Sequence, residues 1–129
     1  MLAPCHAVAR FIATGDPALV EHALAPGPVT IMEDFAPFLF EGRGAARAWT
    51  HAMRAHVAGL TRMRYRFGRA HDFFTRGDVA SFCLPTRWRG LSAGVPFTET
   101  GGWSFILAAG DGLWRVRAYA WGVTGHKKG

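Results

Sequence analysis

The chain has 129 residues and a mass of 14.1 kDa, which is the usual size of one folded domain. Half of its residues are hydrophobic, which excludes global disorder, and no apolar run approaches the ~20 residues of a membrane-spanning helix. The N-terminus lacks the basic flank and apolar block of a secretory signal, and two cysteines are too few for a disulfide framework. We therefore expect a cytoplasmic protein with free thiols.

The first half of the chain has the pattern of helices. Apolar residues at helical spacing predict a first helix over residues 2–13, which ends at Gly15. Asp16 is a good helix cap and Pro17 suits the first helical position, so together they predict the start of a second helix. The Pro-Gly-Pro sequence at residues 26–28 ends this second helix.

A strand, a loop and a third helix are predicted next. Residues 29–34 have the pattern of a strand, and residues 35–42 form a loop that is rich in apolar side chains. The third helix is predicted from about residue 44 to residue 57, because apolar residues repeat there every four positions: Ala45, Trp49, Met53 and Val57.

The second half of the chain alternates between polar and apolar residues, as strands do. We predict strands over residues 61–67, 70–75, 79–89, 97–108 and 113–123. The turns between them are short, which indicates an antiparallel meander. The fold class is therefore α+β: three N-terminal helices packed on a curved antiparallel sheet, in a cone-shaped half-barrel. One domain covers residues 1–125, and residues 126–129 form a basic C-terminal tail.

Several local patterns occur in an order that is typical of one superfamily. They are Gly15-Asp16, Glu33-Asp34, Glu41-Gly42 before Ala45-Ala46 and Trp49, Gly77-Asp78-Val79-Ala80, Trp103 to Leu107, and Gly112 with Trp114-Arg115-Val116. Over residues 3–124 the chain resembles the nuclear transport factor 2-like superfamily, within its SnoaL-like and ketosteroid isomerase-like group of cystatin-like fold. This resemblance implies a hydrophobic pocket between the concave face of the sheet and the helices. It also implies a homodimer formed through the convex face of the sheet.

Asp34 is the first catalytic candidate, because it matches the position of the general base in the isomerases that the chain resembles. A carboxylate at the edge of an apolar pocket has a raised pKa, which suits proton transfer. In a regular strand Glu33 points to the opposite side, so we expect only Asp34 to face the pocket. The alternative is a solvated Asp34 or one paired with an arginine. The oxyanion-binding residues of the isomerases are not matched, because Val8 and either Trp103 or Ser104 occupy their positions.

The last predicted strand supplies further candidates for the pocket. Its odd positions would place Arg117, Tyr119 and Trp121 on the pocket side. Arg117 would bind an anionic group of a ligand or pair with Asp34, and Tyr119 would hydrogen-bond to an oxyanion. The alternative reverses the faces, so that the even-numbered residues are core and the arginines are solvated.

Aromatic and titratable residues elsewhere in the chain complete the predicted site. The aromatic candidates for the ligand pocket are Trp49, Tyr65, Trp103 and, in the apolar loop, Phe38. His71 could line the pocket as an acid–base group, and Glu99 is a second carboxylate that could reach it; the alternative for each is a solvated surface position. We predict no metal site, because His51 and His56 lie five residues apart on one helix and cannot share an ion.

The basic charge raises the question of a nucleic-acid partner. Fifteen lysines and arginines against nine acidic residues give a formal net charge of +6, but most arginines alternate along strands or lie near strand ends, and no helix carries a basic stripe. The distribution of the arginines therefore argues against a nucleic-acid partner. We expect the chain to bind an apolar, carbonyl-bearing or anionic small molecule. Its candidate activity is cofactor-free proton transfer of the isomerase, cyclase or dehydratase type. The alternative is a non-catalytic ligand-binding or protein-association module of the same fold.

Overall fold

The computed structural model describes all 129 residues. It contains two α-helices, α1 (Ala3–Thr14) and α2 (Ala45–His56), and a single turn of 3-10 helix at Pro17–Leu19. The seven strands are β1 (Val29–Met32), β2 (Leu39–Gly42), β3 (Leu60–Phe67), β4 (His71–Arg76), β5 (Val79–Ser92), β6 (Val95–Gly110) and β7 (Leu113–Lys128). Neither helix combines the length and the apolar character that crossing a lipid bilayer demands.

All seven strands belong to one curved, unclosed sheet, which confirms the α+β class. The strand order is β2-β1-β7-β6-β5-β3, and β4 pairs with the other end of β5. All pairings are antiparallel except that of β1 with β7, which are parallel. The three longest strands, β5 to β7, follow one another through tight turns, so the centre of the sheet is the predicted meander.

The two faces of the sheet differ in polarity. The inner face, which packs on the helices, carries alternate residues of the central strands, among them Phe82, Leu84, Phe105 and Leu107. Helix α1 contributes Phe11 and helix α2 contributes Trp49 to the same core, and their rings lie 5.3 Å apart. We call the opposite, largely solvent-exposed side of the sheet the outer face.

The prediction of three N-terminal helices is wrong, because the structure has two. Asp16 does act as a cap, and its Oδ1 accepts a 3.0 Å hydrogen bond from the amide of Ala18, but only one 3-10 turn follows. The chain then runs beside β7: the amide of Ala25 donates to the carbonyl of Val116, and the amide of Val116 donates to the carbonyl of Ala23. Backbone pairing with β7 therefore replaces the second helix.

Two further boundaries differ from the sequence predictions. The predicted loop at residues 35–42 contains strand β2, which pairs with β1 from Leu39 to Gly42. The predicted basic tail is the end of β7, since His126, Lys127 and Lys128 pair with β6. Both segments are held by backbone hydrogen bonds to a neighbouring strand. Their own sequences do not alternate between polar and apolar residues in a way that would predict a strand.

Candidate functional site

A cavity of about 310 Å³ lies between the inner face of the sheet and the ends of α1 and α2. This volume suits a small organic molecule. Most of the wall is apolar, and the apolar lining residues are Ile12, Phe35, Met53, Val57, Leu60, Met63, Trp88, Phe97, Trp103 and Trp121. The wall of the cavity is therefore mainly hydrophobic.

A few polar groups interrupt this wall, as ligand orientation requires. They are Glu33, Asp34, His56, Ser92, Glu99, His126 and Lys128. Three of the seven are carboxylates, and only Glu33 among them is buried, with 8% of its surface exposed.

Glu33 follows strand β1 and is fixed by its side chain and its backbone. Its amide donates to the carbonyl of Phe38 across the β1–β2 turn. Its Oε2 accepts a 2.9 Å hydrogen bond from the indole Nε1 of Trp49 and a second hydrogen bond from the hydroxyl of Tyr119. Helix α2 and strand β7 thus hold the same carboxylate oxygen from two sides.

The other oxygen of Glu33, Oε1, has no hydrogen-bond partner within the protein. Every fully buried polar side-chain atom in the structure does have a partner, so Oε1 is an accessible atom. Because Glu33 lines the cavity, the accessible oxygen is available to a ligand there. The carboxylate is oriented by one oxygen and open through the other.

Burial makes Glu33 a weaker acid than a solvated glutamate. Desolvation is the main cause that raises its pKa from 4.5 to about 7, and the negative charges of Asp34 and Glu99 act in the same direction. The hydrogen bonds from Tyr119 and Trp49 oppose the shift in part, since they stabilise the charged form. A carboxylate with a pKa near neutrality is suited to accept and return a proton.

Glu99 is the second carboxylate with an altered acidity. Burial and the charge of Asp34 raise its pKa, while the neighbouring His126 acts in the opposite direction. His126 lies directly across from Glu99 in the β6–β7 pair. The cavity therefore holds two carboxyl groups whose environments favour protonation.

Aromatic side chains support Glu33 from behind. Trp49 and Tyr119 are fully or almost fully buried, and their rings meet edge to face at 5.9 Å. The ring of Trp103 packs against Tyr119 at 4.9 Å and against Trp121 at 5.0 Å. This aromatic cluster leaves the donors of Trp49 and Tyr119 little freedom to move away from the carboxylate.

Solved structures with the same architecture exist, although their sequences are dissimilar. Hexachlorocyclohexane dehydrochlorinase LinA-type3 from Novosphingobium barchaimii superposes with a TM-score of 0.78 at 6% identity, over 98% of this chain and 85% of that one. A proposed scytalone dehydratase from Novosphingobium aromaticivorans has a TM-score of 0.75 at 10% identity, over 96% and 81%. A nuclear transport factor 2-like protein of unknown function from Pseudomonas putida has a TM-score of 0.69 at 13% identity, over 92% and 80%.

The chain has the nuclear transport factor 2-like fold. No protein-family model matches the sequence, and no curated protein resembles it significantly. Identities this low establish the fold and leave the chemistry to the residues of the site itself.

Within this nuclear transport factor 2-like fold, four predicted site residues lie in the wall of the cavity: Asp34, Glu99, Trp103 and Trp121. Asp34 is exposed at the mouth. The expectation that only one of the two adjacent carboxylates faces the pocket is wrong, because Glu33 lines it as well. The strand ends at Met32, so strand alternation does not apply to this pair.

Arg117 does not lie in the cavity, contrary to the prediction. The pairing of β6 with β7 shifts between Ile106 and Leu107, and Arg117 is the extra residue of the resulting bulge. The bulge reverses the alternation, so that Val116 and Tyr119 both point into the core while Arg117 is exposed.

Tyr119 and Trp49 lie directly behind the cavity rather than in its wall. Both were predicted to contact a ligand, and both instead contact Glu33. The hydroxyl of Tyr119 is already donated to Glu33, and burial raises the pKa of Tyr119 well above its usual value. In this arrangement the two side chains orient the carboxylate.

Three other predicted ligand-binding residues lie outside the cavity. Tyr65 hydrogen-bonds through its hydroxyl to the Nδ1 of His6, at 2.8 Å. Phe38 is exposed in the β1–β2 turn. His71 is on the edge strand β4, where its Nδ1 lies 2.5 Å from the Oδ2 of Asp72. The Sγ of Cys83 lies within 4.8 Å of a side-chain nitrogen of His71 and of a carboxylate oxygen of Asp72.

The mouth of the cavity includes a pair that the sequence did not suggest. The ring of Phe35 stacks on His56 with centroids 3.9 Å apart, which joins the β1–β2 turn to the end of α2.

Glu33 was considered in the sequence analysis, but its side chain was predicted to point away from the pocket. Trp49 and Tyr119 offered a signal for a buried Glu33, because each is a core side chain with a polar hydrogen that needs a hydrogen-bond acceptor.

Proposed function

We propose that the chain binds an apolar small molecule with a carbonyl group in the cavity and transfers a proton at the carbon next to that carbonyl. One observation supports this most strongly: the carboxylate of Glu33 has one oxygen held by two donors and the other open to an apolar cavity. Its pKa of about 7 keeps both protonation states populated near neutral pH.

In the proposed reaction, Oε1 of ionised Glu33 takes the proton from the carbon atom. The electron pair of the broken C–H bond moves to the carbonyl oxygen, which becomes the oxygen of an enolate. The protonated Glu33 then returns a proton to a carbon atom of the enolate, or exchanges it with water first. Trp49 and Tyr119 act as positioning residues, because they contact Glu33 and leave the ligand to the other oxygen.

The enolate oxygen needs a hydrogen-bond donor in the cavity. Trp103 donates its indole N–H to the hydroxyl of Thr86, at 2.8 Å, so it is occupied. Trp88 and Trp121 also line the cavity, and neither donates to a protein acceptor. These two indole groups are the donors that we assign to the carbonyl oxygen of the ligand.

The structural neighbours agree with this type of chemistry. One is named as a dehydrochlorinase and another as a proposed dehydratase, and eliminations of this kind remove a proton from carbon. The proposal places the chain in the SnoaL-like and ketosteroid isomerase-like group, with no cofactor in the reaction. A non-catalytic ligand-binding module remains the competing function.

Replacement of Glu33 by Gln is expected to slow the proposed proton transfer strongly. Gln keeps the shape of the side chain and can accept the hydrogen bonds of Trp49 and Tyr119, but it cannot take a proton. We expect the rate to fall between about 100-fold and 10,000-fold. The measurement is deuterium uptake from D₂O into a panel of apolar cyclic ketones, followed by NMR.

The matched control is Asp34→Asn, at the exposed neighbouring carboxylate. It is expected to keep the exchange rate within a few-fold. If Asp34→Asn loses the activity and Glu33→Gln keeps it, the base is Asp34. If the wild-type protein binds the ketones and catalyses no exchange, the chain is a binding module.

We also propose that the chain forms a homodimer through the outer face of the sheet. Two cross-strand rows there consist of small or apolar residues: Ser81, Ile106, Ala118 and Thr30 in one, and Cys83, Ser104, Ala120 and Met32 in the other. Phe74 extends the first row and is 72% exposed, and Met32 is 51% exposed. Such a contiguous surface of low polarity is typical of a protein interface.

Sedimentation equilibrium at micromolar concentration is expected to give twice the chain mass of 14.1 kDa. Ala120→Arg is expected to return it to a single chain, because a charge would be buried at the centre of the interface. Ala58→Arg, in the exposed turn after α2, is the control and is expected to remain dimeric. A single-chain mass for the wild-type protein would refute the dimer.

A further inference from the structure

Four arginines on strands β3 and β5 stand in direct cross-strand register. Arg64 is opposite Arg89, and Arg66 is opposite Arg87. All four side chains are exposed. We call them the arginine quartet. Tyr65 lies between Arg64 and Arg66 on β3 and packs inward, with its ring centroid 5.6 Å from that of Trp88. The arginines on either side of it therefore lie on the outer face.

The arginine quartet carries four positive charges that no acidic group neutralises. Like charges directly opposite one another destabilise a sheet. The one contact within 4.0 Å between a basic side-chain nitrogen and a carboxylate oxygen is that of His71 with Asp72, so no arginine has a carboxylate within this distance. The neighbouring residues of β6 in the same two rows are Thr98 and Thr100, which supply no negative charge.

The spacing of the quartet makes it compact. Paired residues on adjacent strands are about 5 Å apart, and alternate residues on one strand are about 7 Å apart. A shallow depression of about 270 Å³ lies among the quartet and Tyr65. Four guanidinium groups can therefore reach one small ligand on this face of the sheet.

We propose that the arginine quartet binds a small molecule that carries a diphosphate or triphosphate group. Guanidinium groups donate paired hydrogen bonds to phosphate oxygens, and a polyphosphate offers several such oxygens within a few ångströms. The negative charge of the ligand would offset the mutual repulsion of the arginines. None of the four lines the cavity, so the site is independent of the proposed proton transfer.

The limited extent of the basic surface favours a small ligand over a nucleic acid. Beyond the quartet the positive charge continues to Arg62 on β3, which lines a neighbouring depression with Arg64 and Arg89, and to Lys127 on β7. The other residues of the two rows, Thr98, Thr100 and Gly125, are neutral. The only aromatic ring at the depression belongs to Tyr65, which is engaged with His6 and Phe67. A single-stranded nucleic acid needs a longer basic track and free aromatic rings for its bases.

The test compares tripolyphosphate binding by calorimetry at low ionic strength in the wild-type protein and in the double variant Arg64→Gln/Arg89→Gln. We expect one saturable site, weakened at least about tenfold in the double variant, since two charge-assisted contacts are lost. The control, Arg10→Gln/Arg76→Gln, removes the same charge from exposed positions of α1 and β4 outside the depression and is expected to bind as the wild type does.

A second measurement does not depend on the ligand. Without tripolyphosphate, the quartet variant is expected to melt at a higher temperature than the wild-type protein, because it lacks the opposed charges. Equal tripolyphosphate binding by the Arg64→Gln/Arg89→Gln variant and by the control variant would overturn the proposal. Tighter binding of a single-stranded oligonucleotide than of tripolyphosphate would also overturn it, in favour of a nucleic acid.

Discussion

The free energy of unfolding is expected to fall by up to about 3 kcal/mol as the pH rises from 4.5 through 7, owing to Glu33 alone. In the folded protein the pKa of Glu33 is raised from 4.5 to about 7, so folding favours the protonated carboxyl. This contribution is complete below about pH 4.5, where the side chain is protonated in the folded and unfolded states. It is lost progressively as the pH rises through the folded value.

Glu33→Gln is expected to remove this dependence. The neutral amide is matched in shape and keeps the two hydrogen-bond donors satisfied, so the variant is expected to be more stable than the wild-type protein at about pH 8. Urea unfolding over this pH range measures the difference. Glu99 and His6 also have altered pKa values, so the wild-type curve alone does not isolate Glu33, whereas the difference between the two proteins does.

Glu41→Gln is the control for this experiment. Glu41 is an exposed carboxylate on β2, and its removal is expected to leave the pH dependence intact. A Glu33→Gln protein that keeps the full slope of the wild type would show that the unfolding linkage comes from another group. It would also remove the main physical support for Glu33 as the proton acceptor.

Much of the fold was predictable because the periodicity of each element is local. The first predicted helix matches α1 and the third matches α2 to within a residue or two, and the meander of β5 to β7 follows from alternation and short turns. The segment after Asp16 was not predictable in this way. Its capping signal is genuine, but pairing with Val116 of a distant strand decides its structure.

The site was less predictable, because two irregularities break the alternation on which its assignment rested. Strand β1 ends before Glu33, so neighbouring carboxylates can enter the same cavity. The bulge at Arg117 brings Val116 and Tyr119 to the same face of β7. Parity along a strand holds only while the pairing is regular, and one extra residue exchanges the faces.

The partners of Glu33 illustrate the same limit. Trp49 belongs to an apolar stripe on α2 and Tyr119 to a strand 70 residues later, so each has an ordinary place in a core. Only the tertiary structure brings their two donors to one oxygen. The sequence contains the requirement for an acceptor, and the fold selects which carboxylate meets it.

Gly101→Ala is expected to lower the free energy of unfolding by about 3 kcal/mol, at the upper end of what overpacking a core costs. Gly101 is buried beneath the ring of Trp121, and an added Cβ would lie 2.6 Å from that ring and in contact with the carbonyl oxygen of Gly122. Since a backbone atom cannot rotate away, the β6–β7 pair would have to separate locally. Urea unfolding at a fixed pH measures the loss.

Gly102→Ala is the matched control, one residue further on and on the opposite face of the same strand. Nothing lies within 4 Å of its added Cβ, so its stability is expected to stay within about 0.5 kcal/mol of the wild type. If both variants lose the same free energy of unfolding, the need for glycine at position 101 would come from strand flexibility and not from the contact with Trp121. A loss confined to Gly101→Ala shows that a residue without a side chain is needed where Trp121 closes the wall of the cavity.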